Sequence, residues 1–265
     1  MSATRHRLDG TPELLRLDGF PAPHAFTTRR GGVGLGPFAE LNLGRSVGDD
    51  PDTVSENRRR VLRAFGADPS RTATVHQVHG ARVVQAREAG PEVQADGIVS
   101  DDPAWTLAVS VADCVPVLVV DPAHGAVAAL HAGWRGVVAG IVDAGIDELV
   151  GRYGSRPDRL RVAIGPHISG PRYQVGPEVV EAFAAAGFPE SVARPDPDDA
   201  GRFLLSVDAA VRVALARSGV RPKHVQDGGW CTASDRERFF SHRRDRGSTG
   251  RHWALLRPPP SRPPA

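Results

Sequence analysis

The chain has 265 residues, 40% of them apolar, which is enough for one large domain or two small ones around a substantial core. Its 33 basic and 31 acidic residues leave a net charge of +2, and the cations are scattered, which argues against a nucleic-acid footprint or a basic membrane patch. No run approaches the roughly 20 apolar residues of a membrane span, the N-terminus lacks an apolar signal-like core, and Cys114 and Cys231 are too few for a disulfide framework, so a reducing, cytoplasmic setting is expected.

Residues 1–13 are polar and pattern-free, and 258–265 are proline-rich, so both ends are expected to be mobile around a single domain spanning 14–257. His24 to Thr28 reads as a short strand leading into the glycine-rich loop 29–34, which lacks both P-loop and dinucleotide spacing and on composition alone is a surface turn. Thr53-Val54-Ser55-Glu56 has capping-box spacing, and Val54, Val61, Leu62 and Phe65 form one stripe, which predicts a sheet-covering helix over 53–65. Residues 72–78 read as a strand ending at His79-Gly80, with 81–86 as its return. In such a strand His76 and His79 face opposite ways, so at most one joins a given site.

Val- and Ala-rich runs at 107–112, 115–120 and 126–130 predict buried strands, with the turn supplied by residues 121–125. If 121 and 125 flank the turn as a pair, residue 131 lies opposite residue 115, and Cys114 meets His131 at the open end of the hairpin. Farther on, the periodicity predicts a helix over 137–150, a strand over 160–164, and helices over 177–186 and 207–217 with Ser206 as N-cap. The aromatic and polar stretches at 229–232 and 239–251 read as a closing strand pair plus a loop.

Asp113, Cys114 and His131 interrupt these apolar runs where buried strands end, and such groups are costly there unless paired or coordinating something. A thiolate beside an imidazole is either half of a metal site or a Cys/His catalytic pair; adding His79 makes a three-ligand set with an open fourth position, as catalytic zinc requires. Asp113 is read as an acid, or as the carboxylate that orients a ligand histidine; because its neighbour Cys114 faces the other way in a regular strand, a bulge or turn is required at 113–116. With Lys223 the only lysine, the arginine guanidinium is the main cation for holding phosphate.

Thr27-Thr28-Arg29-Arg30-Gly31-Gly32, Leu41-Asn42-Leu43-Gly44, Val47-Gly48-Asp49-Asp50, Gln77-Val78-His79-Gly80, Ala112-Asp113-Cys114, His131-Ala132-Gly133-Trp134-Arg135-Gly136, Cys231-Thr232 and Phe239-Phe240-Ser241 occur in that order. Together they resemble the family labelled laccase-domain or multicopper polyphenol oxidase-like, whose members resemble broad-specificity purine nucleoside phosphorylases and have also been called peptidoglycan editing factors. The resemblance covers about residues 20 to 255. It implies an α/β (α+β) single-domain layered sandwich, with central packed mixed β-sheets flanked by outer helices. It also implies zinc on His79, Cys114 and His131, catalysis by Asp113, Cys114 and His131, and substrate contacts from Arg29, Asn42, Gln77 and Arg135, with Arg29 the first choice for phosphate. Arg135 has the alternative role of anchoring the Trp134 turn.

The implied partners are purine nucleosides and phosphate, acted on by a monomer, with phosphorolysis of adenosine, inosine, guanosine and methylthioadenosine and deamination of adenosine. Two departures, His242 where many members have Tyr and His167 where small residues or Cys are common, fall at the edges of the implied pocket. The alternatives are a cysteine or metal-dependent hydrolase in peptidoglycan precursor editing and, further off, a copper polyphenol oxidase. Copper in place of zinc stays open, but multicopper chemistry needs a larger histidine set and usually an axial Met, and the only Met is Met1.

Overall fold

The computed structural model describes residues 10–260. In chain order its elements begin with β1 (Leu14–Leu15), β2 (His24–Thr27), α1 (Pro51–Phe65), β3 (Thr72–Ala73), β4 (Val83–Gln85), β5 (Gly97–Ser100), β6 (Thr106–Val111), β7 (Val115–Val120) and β8 (Val127–Ala132). They continue with α2 (Trp134–Val138), α3 (Ile141–Tyr153), β9 (Arg161–Ile164), β10 (Gln174–Val175), α4 (Pro177–Ala185), β11 (Ala193–Pro195), β12 (Phe203–Leu205), α5 (Val207–Arg217), β13 (Val225–Asp227) and β14 (His252–Leu256). One sheet runs β1-β2-β14-β6-β3, a second β13-β9-β7-β8-β5-β4, and a small third β10-β12-β11. The first two are mixed: the first has a parallel pair at one edge, β3 with β6, and the second has one at each edge, β13 with β9 and β4 with β5.

Side-chain alternation along β7 and β8 decides the layering. Val115, Val117, Val119, Ala128 and Leu130 face helices α3, α4 and α5, while Leu118, Val120, Val127 and Ala129 face Phe26, Leu107, Val109 and Leu256 of the other sheet. The outer face of that second layer carries Ala25, Ala108, Trp253 and Leu255 against Val61, Leu62 and Phe65 of α1. Two sheets thus pack face to face between outer helices in one domain, as the family resemblance implies, and strands buried on both sides explain the unbroken apolar runs. Among the described residues, no helix is long and apolar enough to cross a membrane.

The expected mobile ends lie largely outside the described residues. Within the described part, Glu13 is buried and its carboxylate accepts from the Thr28 hydroxyl at 3.1 Å, while Pro258 is also buried.

Several local readings are corrected. Helix α1 starts at Pro51 with Asp50 as N-cap, its carboxylate accepting from Thr53 N at 2.8 Å, so Thr53 lies inside the first turn. The predicted helix over 137–150 is two helices, because Gly140 adopts φ 90° and starts α3 afresh. The segments 72–78 and 81–86 do not pair: β3 joins β6, β4 joins β5 in the other sheet, and the chain between them crosses the gap. No strand pair forms over 229–251; Asp235 and Asp245 accept from Arg238 N and Thr249 Oγ1 in turns, and the closing strand is β14. The hairpin turn also differs by one residue. Asp121 N donates to Ala126 O at 2.8 Å with Gly125 at φ 74°, so His131 pairs with Pro116 rather than Val115.

Two outcomes follow from the packing. A Cβ on Gly165 would stand 2.2 Å from the Phe26 ring and 2.9 Å from Pro116 Cγ, both in the layer between the sheets. Gly165→Ala should therefore cost ~1–3 kcal/mol by overpacking. Gly151→Ala, in α3 with nothing within 4 Å, should gain roughly 0.5–1 kcal/mol from helix propensity. Urea denaturation of both variants checks the contrast. His252 is buried between Phe239 and Phe240, its Nε2 accepts from Phe240 N at 2.8 Å, and burial lowers its pKa from 6.5 to about 3. Between those values the unfolded chain binds the proton and the folded chain does not, so His252 makes stability fall as pH is lowered from 6.5 toward 3. Histidine NMR checks this: a His252 ring that half-titrates near the ordinary value of about 6.5 contradicts it.

Candidate metal and active site

The corrected hairpin register places the chemistry. Since His131 pairs with Pro116, it shares a face with residue 114, whereas the register expected from the turn would have sent the two to opposite faces. Cys114 lies just before β7, after a break at 112–114 in which Asp113 takes φ 87°; this is the irregularity that the sequence requires. His79 comes from the crossing segment with φ 60°. Together His79, Cys114 and His131 bring two imidazole nitrogens and a sulfur within 4.8 Å of one another. Cys114 Sγ is 3.8 Å from His79 Nε2, and the two imidazole rings meet edge to face at 4.8 Å. Gly133 makes this possible, because a Cβ there would lie 2.8 Å from His79 Cδ2 and 3.0 Å from Cys114 Sγ.

One carboxylate, absent from the sequence reading, organises the group. Asp96, fully buried ahead of β5, accepts from Val78 N at 3.2 Å, His79 N at 2.9 Å and Gly80 N at 2.7 Å, and from His131 Nδ1 at 2.8 Å. The last bond makes Nδ1 the donor and turns His131 Nε2 toward the group, as in metal sites where a carboxylate orients the ligand ring. Burial pushes the Cys114 thiol up, but the facing His131 and the bonds from both imidazoles outweigh it and draw the thiol down toward the thiolate. Burial likewise pushes His131 down, and the opposing sulfur and Asp96 more than reverse that. Two imidazoles and a thiolate, with His79 exposed and Cys114 half-buried, form a donor set that fits a borderline divalent metal and leaves it open on one side.

The group borders a cavity of about 650 Å³ whose wall includes Arg45, Arg58, His76, Gln77, Ser110, His242 and Arg251. His76 and His79 both line it, contrary to the strand-based expectation, because the chain there is not a regular strand. Gln77 lines it too, but its amide is closed on both backbone groups of Ser110, at 2.7 and 2.8 Å. The other expected contacts lie elsewhere. Arg29 is not part of this wall; it stacks on Phe240 and donates to the carbonyls of Ala39 and Arg236, the contacts of a loop anchor. Asn42 is fully buried, bonded to Gly44, Asp49 and Arg251 N, and so positions the arginine that does reach the cavity. Arg135 lies exposed over the Trp134 ring, which fits the anchoring alternative. Asp113 accepts from Thr232 Oγ1, Ser241 Oγ and Arg243 N, and the carboxylate that meets the His131 ring is Asp96. His167 lies away from this cavity wall, whereas His242 is part of it.

Arg45, Arg58 and Arg251 were missed because an arginine in a polar stretch carries no spacing signal, and Asp96-Gly97 reads locally as a turn. Asp96→Asn, which trades the charged acceptor of four donors for an amide, should destabilise the fold by about 3 kcal/mol. It should also speed amide exchange at residues 78–80. Exchange and urea stability unchanged from the parent would show that the carboxylate is not the organiser.

Comparison with known proteins extends this picture. A purine nucleoside phosphorylase from Deinococcus radiodurans is 42% identical over 243 residues, covering 92% of each chain. The Escherichia coli protein named purine nucleoside phosphorylase YfiH is 40% identical over 231 residues, 87% of this chain and 91% of that one. Among solved structures, YlmD from Geobacillus stearothermophilus matches with a TM-score of 0.87 at 34% identity, covering 93% of this chain and 96% of that one. A family model described as multi-copper polyphenol oxidoreductase laccase matches residues 23–257, and with relatives this similar over almost the whole length, the chain belongs to that family.

Proposed function

We propose that the chain is a zinc-dependent purine nucleoside phosphorylase of broad specificity, taking adenosine, inosine, guanosine and methylthioadenosine, with a slower adenosine deaminase activity. The names of the relatives support the reaction class. The observation that carries the reading is the open His79, Cys114 and His131 group on the wall of a cavity that also holds three guanidinium groups. A zinc bound there would supply Lewis acidity and lower the pKa of a bound water toward about 7.

The remaining chemistry belongs to the chain itself. Burial, and then the charge of Arg45, lowers the pKa of Arg58 to about 9, so an anion seated between them restores the favourable state. Arg58 is held by two bonds to Leu43 O and lies over Trp253, and Arg251 is held by the carbonyls of Thr249 and Gly250. Phosphate is therefore assigned to Arg45, Arg58 and Arg251 in place of Arg29 and Arg135. Fixed donors of this kind orient an attacking anion at little entropic cost. Because Asp113 is closed on internal donors, the titratable side chains available to move protons in the cavity are His76, Glu92 and His242.

A second reading has its own support. Asp96, His131 and Cys114 are arranged in the order carboxylate, imidazole, thiol, the geometry of a cysteine nucleophile with its base and orienting acid. Such a metal-free hydrolase could act on a peptidoglycan precursor.

The test is adenosine turnover with and without phosphate, before and after chelation and zinc restoration. The phosphorylase should release adenine and ribose 1-phosphate only with phosphate and zinc, and form inosine slowly when phosphate is withheld. Arg251→Met should lower kcat/KM for phosphate roughly 10–100-fold, the size of one charged hydrogen bond. No cleavage of any purine nucleoside by zinc-loaded protein defeats the proposal. Hydrolysis that survives chelation but not thiol alkylation favours the cysteine reading.

A further inference from the structure

A second group of ligating side chains lies apart from the cavity, where the carboxyl ends of the parallel strands β9 and β13 meet the start of α5. His167 follows β9 after Gly165-Pro166, Asp227 ends β13, and Asp208 is in the first turn of α5. The His167, Asp208 and Asp227 ligand atoms all lie within 4.8 Å of one another.

His167 is 5% exposed, and its Nδ1 is 2.9 Å from Gly165 O. A carbonyl can only accept, so Nδ1 carries the proton and Nε2 is aimed at the two carboxylates. Asp208 Oδ1 stands 3.7 Å from Nε2, too long for a hydrogen bond. Asp208 also accepts from Ser206 Oγ at 2.6 Å. Asp227 uses one oxygen for Gly229 N at 2.8 Å and the other for Arg212 Nη2 at 2.7 Å. A buried imidazole nitrogen therefore faces two carboxylates across a gap wider than a hydrogen bond, with Arg212 as the neighbouring cation.

We propose that His167, Asp208 and Asp227 form a second divalent-cation site, distinct from the cysteine-containing group. One imidazole and two carboxylates without a thiolate suit a first-row ion such as zinc or manganese, and an all-oxygen calcium or magnesium cage is excluded by the imidazole. The carboxylate side chains are 23% and 21% exposed, which leaves an entry path and room for water to complete the coordination. The ion would share Asp227 with Arg212 and tie β9, β13 and α5 together. It would also stiffen the main site, because Thr232 N donates to His167 O, and Ile168 N donates to Asp113 O one residue before Cys114.

Zinc alone is the probe. The full chain and an Asp208→Asn/Asp227→Asn double variant are brought to equilibrium with the same zinc buffer by dialysis, and zinc per chain is compared. With free zinc buffered high enough to fill the His79, Cys114 and His131 group in both proteins, the parent should hold one equivalent more than the double variant. Equal zinc in the two folded proteins overturns the proposal and leaves His167 as an imidazolium paired with Asp208. Should the double variant not fold, the His167 ring nitrogens of the parent are followed by NMR through a zinc titration. A large Nε2 shift supports the site, and an Nε2 signal that stays in place overturns it.

Discussion

The Asp96 carboxylate is the constraint on which the rest of the site depends. A buried anion is tolerated only when its lone pairs are satisfied, and Asp96 meets that demand with three consecutive backbone amides and the His131 imidazole. The amides cannot converge on one carboxylate while the 78–80 segment is extended, so the chain bends there and His79 takes φ 60°. One buried charge thereby bends the crossing segment, turns His79 toward Cys114 and fixes the tautomer of His131. The cost of burying the charge is offset only if all four donors arrive together, which couples three segments distant in sequence.

The layered fold supplies the rigid frame for that convergence. Strands β7 and β8 are covered on both faces, so their ends are held as firmly as their centres, and the polar groups at those ends look into the gap between the two sheets. The gap closes on apolar side chains along most of its length and opens into the cavity where Cys114 and His131 sit. A short thiol and a buried imidazole at a rigid sheet edge are pre-organised, which is the condition for metal binding or nucleophilic chemistry without costly rearrangement.

The cavity is rich in cations. Arg45, Arg58 and Arg251 line it together with the thiolate-forming group, and the anchors of Arg58 and Arg251 are backbone carbonyls and, for Arg58, an indole ring, not carboxylates. Carbonyl anchors fix the geometry of an arginine without neutralising it, so the positive potential remains available to an anionic ligand. Asn42, fully buried, holds Gly44 and Arg251 N in place and joins the N-terminal loop to the last loop before β14.

The sequence by itself determined what periodicity and local chemistry can carry. Apolar runs at 107–112, 115–120 and 126–130 specify doubly buried strands, and the stripe of Val54, Val61, Leu62 and Phe65 specifies a covering helix. Polar residues at the ends of those runs single out Cys114 and His131, because a thiol and an imidazole have no reason to stand there unless something pairs with them. Only the tertiary structure decided the hairpin register, since the one-residue difference between a pair at 121 and 125 and a pair at 121 and 126 rests on how Gly125 and Asp121 bond across the turn. Nor could the sequence show that β3 and β4 belong to different sheets, or that Asp96 rather than Asp113 faces His131. The arginines of the cavity were hidden for the same reason: a long, flexible side chain can turn to a loop carbonyl, an aromatic face or a ligand, and which of these it meets is set by segments far away in the chain.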